Sequence, residues 1–271
     1  MTTLGGNVCI RNGDSLDYCW RECIASLLPV CDTVTVSDGE STDGTQEMIQ
    51  EWMTREPRLR LCVYPWPDPK GDIDFWVNWL NFCREHVREP FQIQLDADEV
   101  LSERSYPIIE AFKRETNPTD RVSLRCHRYN FWKDPQHLIP PGVCCGHRVV
   151  RIAPTSVWLP SDGEHPKGAE ANLMARNSEI EIMHYGFLRH REAYFKKSRQ
   201  LHTMFFGGMT DQRMLDVETA AKERSDLLVG ENAQGNWMEE IKGIEWKDRI
   251  VPFAQPHPEV ALPWLRAHGW K

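Results

Sequence analysis

Val34-Thr35-Val36-Ser37-Asp38-Gly39-Glu40-Ser41-Thr42-Asp43-Gly44-Thr45 runs from an apolar strand into an acidic turn and then into a helix. Residues 33–36 predict the strand. Thr45, Met48, Ile49 and Trp52 recur at three and four, one face of an amphipathic helix, and Ser41, Thr42 and Asp43 are its candidate caps. Upstream, residues 7–10 form a short apolar run, and Leu16, Cys19, Trp20, Cys23, Ile24 and Leu27 give a helical stripe over 16–28. Downstream, Leu59, Leu61 and Val63 alternate as a strand, residues 65–72 form a proline-rich loop, and Phe75, Trp76, Trp79, Leu80 and Cys83 mark a third helix. Phe91, Ile93 and Leu95 then make a strand that ends at Asp96. This βαβαβαβ order predicts a parallel sheet with right-handed crossovers and a ligand crevice at the carboxyl ends of its strands.

Beyond residue 101 the pattern loosens. A helix is expected over 106–114, strands over 122–129 and 180–184, and loops over 135–142 and 158–168. From Arg189 the period is helical through about Val229. The tail from Pro252 carries Pro256, Pro258 and Pro263 and reads as irregular.

Composition narrows the function. The 271 residues hold 32 Lys+Arg against 40 Asp+Glu, a net charge of -8, which argues against broad electrostatic capture of nucleic acid. No apolar run approaches the roughly 18 residues of a membrane span, and the N-terminus lacks a signal-peptide pattern, so a cytoplasmic protein without a transmembrane segment is expected. The 9 cysteines are odd in number and sit mostly in apolar runs, as reduced buried thiols do.

Three strand ends carry polar clusters that a parallel sheet would set side by side: Arg11-Asn12-Gly13-Asp14, the Asp38 turn, and Asp96-Ala97-Asp98-Glu99. An acid just outside a strand can accept from a ribose or a base imide, while the helix start offers free N–H groups. Asp96 and Asp98, two apart, can converge on one site, and two hard carboxylates suit Mg2+ or Mn2+. Such an acid pair arises by chance on the order of once in a chain of this length. Asp72-Ile73-Asp74 is another, but it follows a loop and reads as a helix start.

The 34–45 stretch together with Leu95-Asp96-Ala97-Asp98-Glu99-Val100-Leu101 resembles the family 2 glycosyltransferases. Arg11-Asn12 and the 16–28 helix fit that family's opening, and the likeness covers about residues 6–101, reaching more faintly to His184-Tyr185-Gly186-Phe187-Leu188-Arg189. The resemblance implies an α/β GT-A fold, with a Rossmann-like, mostly parallel central sheet flanked by helices and a C-terminal helical extension. Residues 1–101 would form the nucleotide-sugar-binding half, 102–188 the acceptor-binding half of the same domain, and 189–271 the mainly helical extension. By the same resemblance Asp38 would hold the nucleotide base, Asp96, with Ala97 beside it, the ribose, and Asp98 the metal, while Asn12 would sit at the lip of the pocket. His184, or else His165, would complete the metal shell. Family members often carry an acid where this chain has Gly13, and an Arg-Asn pair where it has Trp79-Leu80. Lys70, Arg125, Arg148 and Arg151 are candidates to take over donor-phosphate contacts.

The expected activity is metal-dependent transfer of a sugar, with inversion, from a nucleotide-sugar donor, a UDP-sugar foremost. Glu164 or Glu99 would deprotonate the acceptor. The acceptor is open, and DNA stays among the candidates because Arg189, Arg191, Lys196, Lys197 and Arg199 alternate with Tyr194 and Phe195 in a basic and aromatic stripe. Two rivals remain: a sugar-nucleotide-forming nucleotidyltransferase, which would need a glycine-rich basic loop after the first strand, and a carbohydrate binder without catalysis.

Overall fold

The computed structural model describes residues 1–132, 134–139, 148–157, 173–207 and 250–270. Its first half alternates β1 (Leu4–Ile10), α1 (Trp20–Leu27), β2 (Thr33–Asp38), α2 (Thr45–Met53), β3 (Leu59–Val63), α3 (Ile73–Glu85) and β4 (Phe91–Asp96). These four strands pair in parallel in the order β3-β2-β1-β4, so the chain reverses direction across the sheet between β1 and β4. A sheet covered on both faces needs apolar side chains on both, and every residue of β1 is buried. Trp20, Ile24 and Leu27 of α1 join Val8, Val34 and Leu95 in the main core, while Val77, Trp79, Leu80 and Cys83 of α3 cluster with Cys9.

The second half turns the sheet antiparallel. After β5 (Glu99–Leu101) and α4 (Tyr106–Glu115), β6 (Val122–Trp132) and β7 (Asp134–Leu138) run antiparallel to one another, and β8 (Arg148–Pro154) inserts antiparallel between β4 and β6. Strand β9 (Met174–His184) runs parallel to β6 and antiparallel to β5, which sets His184 opposite Glu99. Helix α5 (Arg191–Phe206) follows. Its end meets the start of α3, where Gly71 N donates to Thr203 O at 3.0 Å and Asp72 N to Met204 O at 2.8 Å. The α/β class with a parallel, helix-flanked half is as expected.

Three local expectations change. The first helix starts at Trp20, because residues 12–18 form tight turns, with Asn12 and Asp17 at positive φ and Leu16 N donating to Asn12 O. The segment expected as a loop from Pro135 holds strand β7; its proline lies beside the register shift next to Trp132, where a missing N–H breaks no ladder bond. The tail is ordered rather than irregular: β10 (Val251–Pro252) pairs with β7, and α6 (Leu262–Ala267) carries Pro263 in its first turn, where a proline lacks nothing. Phe253, Trp264 and Leu265 close a second core with Phe131, Met183 and Tyr185. The loop expected at 158–168 and the helical period beyond Gly207 lie outside the described residues.

Asp72 caps α3, accepting from Asp74 N at 3.1 Å and Phe75 N at 3.0 Å. Asp72→Ala is expected to lower stability by about 0.5–2 kcal/mol in urea denaturation and to leave catalysis unchanged.

Candidate active site

A cavity of about 240 Å³ opens at the carboxyl ends of β1, β4 and β9 and is roofed by α5. Asp96, Ala97 and Asp98 lie on one wall, Arg11 on another, and Trp66, Trp76 and Trp79 form an aromatic side. Lys197, Gln200, Leu201 and Met204 reach it from α5; these positions are i, i+3, i+4 and i+7, one helix face.

Asp98 sits in the turn between β4 and β5 and is almost fully buried. Its Oδ2 accepts from Lys197 Nζ at 2.8 Å and from Arg189 Nη2, and its Oδ1 lies 3.6 Å from His184 Nε2. Burial alone would push this carboxyl up, but Lys197, His184 and Arg189 outweigh it and hold it well below the usual carboxylate range. Arg189 is itself buried, donating also to Gly186 O and Leu16 O with its guanidinium over the Tyr18 ring. His184 Nδ1 lies 2.9 Å from Asn130 Oδ1, so the far side of the ring is held outside the cavity and Nε2 is the nitrogen that faces Asp98.

Two donor atoms in this corner, Asp98 Oδ1 and His184 Nε2, are within reach of one divalent cation, while Asp98 Oδ2 is taken by Arg189 and Lys197. Asp98 Oδ1 and His184 Nε2 face each other across a gap too long for a hydrogen bond, and a Cβ at Gly186 would lie 2.5 Å from His184 Nε2 and 2.8 Å from Asp98 Oδ2. Only glycine leaves that corner open.

Asp96 is partly exposed at the cavity and accepts from Arg151 Nη2 at 3.1 Å. Glu99, expected as an acceptor base, is seated elsewhere. It is fully buried, absent from the cavity wall, and both oxygens are engaged: Oε1 with Arg151 Nη2 at 2.6 Å and Arg128 Nη1 at 3.4 Å, Oε2 with Asp96 N at 3.0 Å. Arg151 is thereby spent between two carboxylates, and Arg148 donates to Ser178 O. Lys70 is exposed away from the cavity wall.

Asp38 and Asn12 also stand back from the cavity. Asp38 accepts from Ser41 N at 2.8 Å and Ser41 Oγ at 2.6 Å, and burial raises its carboxyl against those hydrogen bonds. Asn12 N donates to Ser41 Oγ, and its Oδ1 accepts from Thr42 N at 2.8 Å, so the ends of β1 and β2 are stitched together. On the cavity side Arg11 donates to Gly39 O at 2.7 Å and lies over the Trp66 ring, 4.3 Å from its centroid. Trp66 and Trp76 each meet Trp79 edge-on, and Trp79 Nε1 donates to Ser37 Oγ at 2.9 Å. Sequence patterning places Trp76 and Trp79 on a core stripe; their period does not tell that the stripe's end borders a cavity. Glu164 and His165 lie outside the described residues.

No protein-family profile and no curated protein matches this sequence. Solved structures of similar shape include residues 1–349 of S. aureus TarS, with 15% identity over 82% of this chain and 72% of that one and a TM-score of 0.44. The chain spans 44% of a longer TarS chain. The mannosyltransferase PcManGT of Pyrobaculum calidifontis, in complex with GDP-Man and Mn2+, is similar at 15% identity over 99% of this chain and 86% of that one, with a TM-score of 0.45. A Bacillus anthracis protein assigned as a glucose-1-phosphate thymidylyltransferase is similar at 10% identity over 78% and 98% of the two chains, with a TM-score of 0.45.

Proposed function

We propose that this chain is a glycosyltransferase of GT-A type that moves a sugar, with inversion, from a nucleotide-sugar donor, a UDP-sugar foremost, to an acceptor nucleophile in the cavity over Asp96 and Asp98. One observation carries the reading: an ionised, buried Asp98 meets Lys197, Arg189 and His184 at the carboxyl edge of a parallel sheet. Asp98 and His184 would hold Mn2+ or Mg2+, which when bound neutralises charge on the departing diphosphate. Lys197 presents an ammonium group to the same space and would share that charge. Arg189 fixes the Asp98 carboxylate in place. Trp66 and Trp76 offer apolar faces for a sugar or base, and Asp96 an acceptor for its hydroxyls. With Glu99 buried, Glu164 is the remaining base candidate. The described cysteines, seven in number, are free thiols, which supports a reducing, cytoplasmic setting. No described helix is long and apolar enough to cross a membrane.

The nucleotidyltransferase alternative loses ground at the first strand, where Asn12 N donates to Ser41 Oγ and Asp14 brings a carboxylate, in place of a glycine-rich basic loop with N–H groups for a phosphate. The DNA-acceptor alternative loses one cation of its stripe to the cavity, since Lys197 turns inward onto Asp98, and Lys196 donates to Ser15 Oγ.

The test is a panel of labelled nucleotide sugars assayed for slow hydrolysis with and without Mn2+. Release of one sugar from one nucleotide is expected; release of pyrophosphate from a nucleoside triphosphate and a sugar phosphate would instead establish the nucleotidyltransferase. Lys197 is about a quarter exposed, so Lys197→Met is expected to keep the fold and lower turnover about 10²–10³-fold. Turnover within threefold of wild type, measured in the same assay, would remove Lys197 from the chemistry.

A further inference from the structure

We propose that Asp17, His190 and His268 form a second metal site, apart from the active-site cavity, that takes Zn2+ and fastens the C-terminal helix to the turn after β1. The three residues offer one carboxylate and two imidazoles whose donor atoms all lie within 4.8 Å of one another. His268 Nε2 is 2.9 Å from both Asp17 oxygens, and His190 Nδ1 is 2.8 Å from Asp17 Oδ2.

The way His268 is held suits a metal ligand. Its Nδ1 lies 2.7 Å from the Trp264 carbonyl oxygen, which accepts from it, and this holds the ring with Nε2 facing both carboxylate oxygens. An imidazole tied through its far nitrogen to a backbone carbonyl is the usual outer support of a metal-bound histidine. Zinc bonds of about 2.0–2.2 Å in a tetrahedron put ligands roughly 3.4 Å apart, so the cluster needs to open by only about 0.5 Å. The His268 side chain is 5% exposed and that of His190 63%, so the pocket is closed on the α6 side and leaves a fourth position to water.

The site also bears on the cavity. Asp17 precedes Tyr18, whose ring lies beneath both Arg189 and Lys197, and His190 follows Arg189. A metal here would pin both neighbours of the cations that hold Asp98.

The experiment uses the full chain, stripped of metal, loaded with Zn2+ alone and dialysed, with zinc counted by elemental analysis and unfolding followed thermally. One zinc per chain is expected for the wild type and for Asp98→Asn, together with a zinc-dependent rise in melting temperature. His190→Ala, a change at an exposed side chain that leaves the fold in place, is expected to lose that zinc. Its affinity should fall by more than the roughly 10–100-fold of an outer-support change. His268→Ala should do the same, and Co2+ in the wild type should give the visible absorption of a tetrahedral site. A wild type that retains no zinc, or zinc that persists in both histidine variants, would overturn the proposal and leave an imidazolium–carboxylate cluster. Loss of zinc in Asp98→Asn but not in the histidine variants would move the metal to the active site.

Discussion

Asp98→Ala is expected to lose about 3–5 kcal/mol of stability along with sugar transfer, whereas Asp98→Asn is expected to keep the fold and lose transfer alone. As a strand-end acid at a crevice, Asp98 is expected from sequence to contribute little to the core. The structure reverses that, because Asp98 is almost fully buried and carries the charge that faces the buried Arg189 guanidinium and Lys197. Truncation to alanine leaves Arg189 without that carboxylate in a place water does not reach. Asparagine fills the same volume and still offers an oxygen to Arg189. It removes the negative charge, and with it the hold on a divalent cation shared with His184, so turnover should fall at least about 10²–10³-fold. Urea denaturation and nucleotide-sugar turnover, measured on both variants, separate the two effects. An asparagine variant within tenfold of wild type would take Asp98 out of catalysis, and an alanine variant as stable as wild type would take it out of the core.

What the sequence discloses here follows from the range of the interactions. The strands and helices of residues 4–96 announce themselves because each buries a face whose period shows in the residues themselves, as Leu59, Leu61 and Val63 do in β3 and Trp79, Leu80 and Cys83 in α3. The acids at 96 and 98 are legible for the same reason, since a strand must end just before them. Direction across long separations is not. Period alone pairs Lys196 with Arg199 on a helix face, yet the face that matters holds Lys197, Gln200, Leu201 and Met204, and it is selected by the docking of α5 against α3 through Gly71 and Asp72. Glu99 differs from Asp98 only by pleat: one residue further along, its side chain turns into the sheet, where Arg151 of β8 and Arg128 of β6 meet it. Asp17, His190 and His268 are separated by 173 and 251 positions from one end of the cluster, so no local spacing could present them together.

Glu99→Ala is accordingly expected to be among the most damaging single changes in the protein, lowering the melting temperature by about 6–20 °C. The estimate joins about 3–5 kcal/mol for breaking a buried ion pair to roughly 2–4 °C per kcal/mol for a domain near this size. Two buried guanidiniums, those of Arg151 and Arg128, would lose a shared carboxylate, and Asp96 N would lose its acceptor. Arg151 would then keep Asp96 as its carboxylate partner and draw that acid, which lines the cavity, further from any ligand. Glu99→Gln keeps an oxygen for Asp96 N and most of the volume, so its loss of stability should be smaller than that of alanine. The same variant distinguishes support from chemistry. A structural Glu99 predicts that Glu99→Gln, assayed well below its melting temperature, turns over donor within about tenfold of wild type, because the group that accepts the acceptor's proton lies elsewhere. If Glu99→Gln melted within about 2 °C of wild type yet had no turnover, Glu99 would be the base after all, and the cavity would have to open toward it during the reaction.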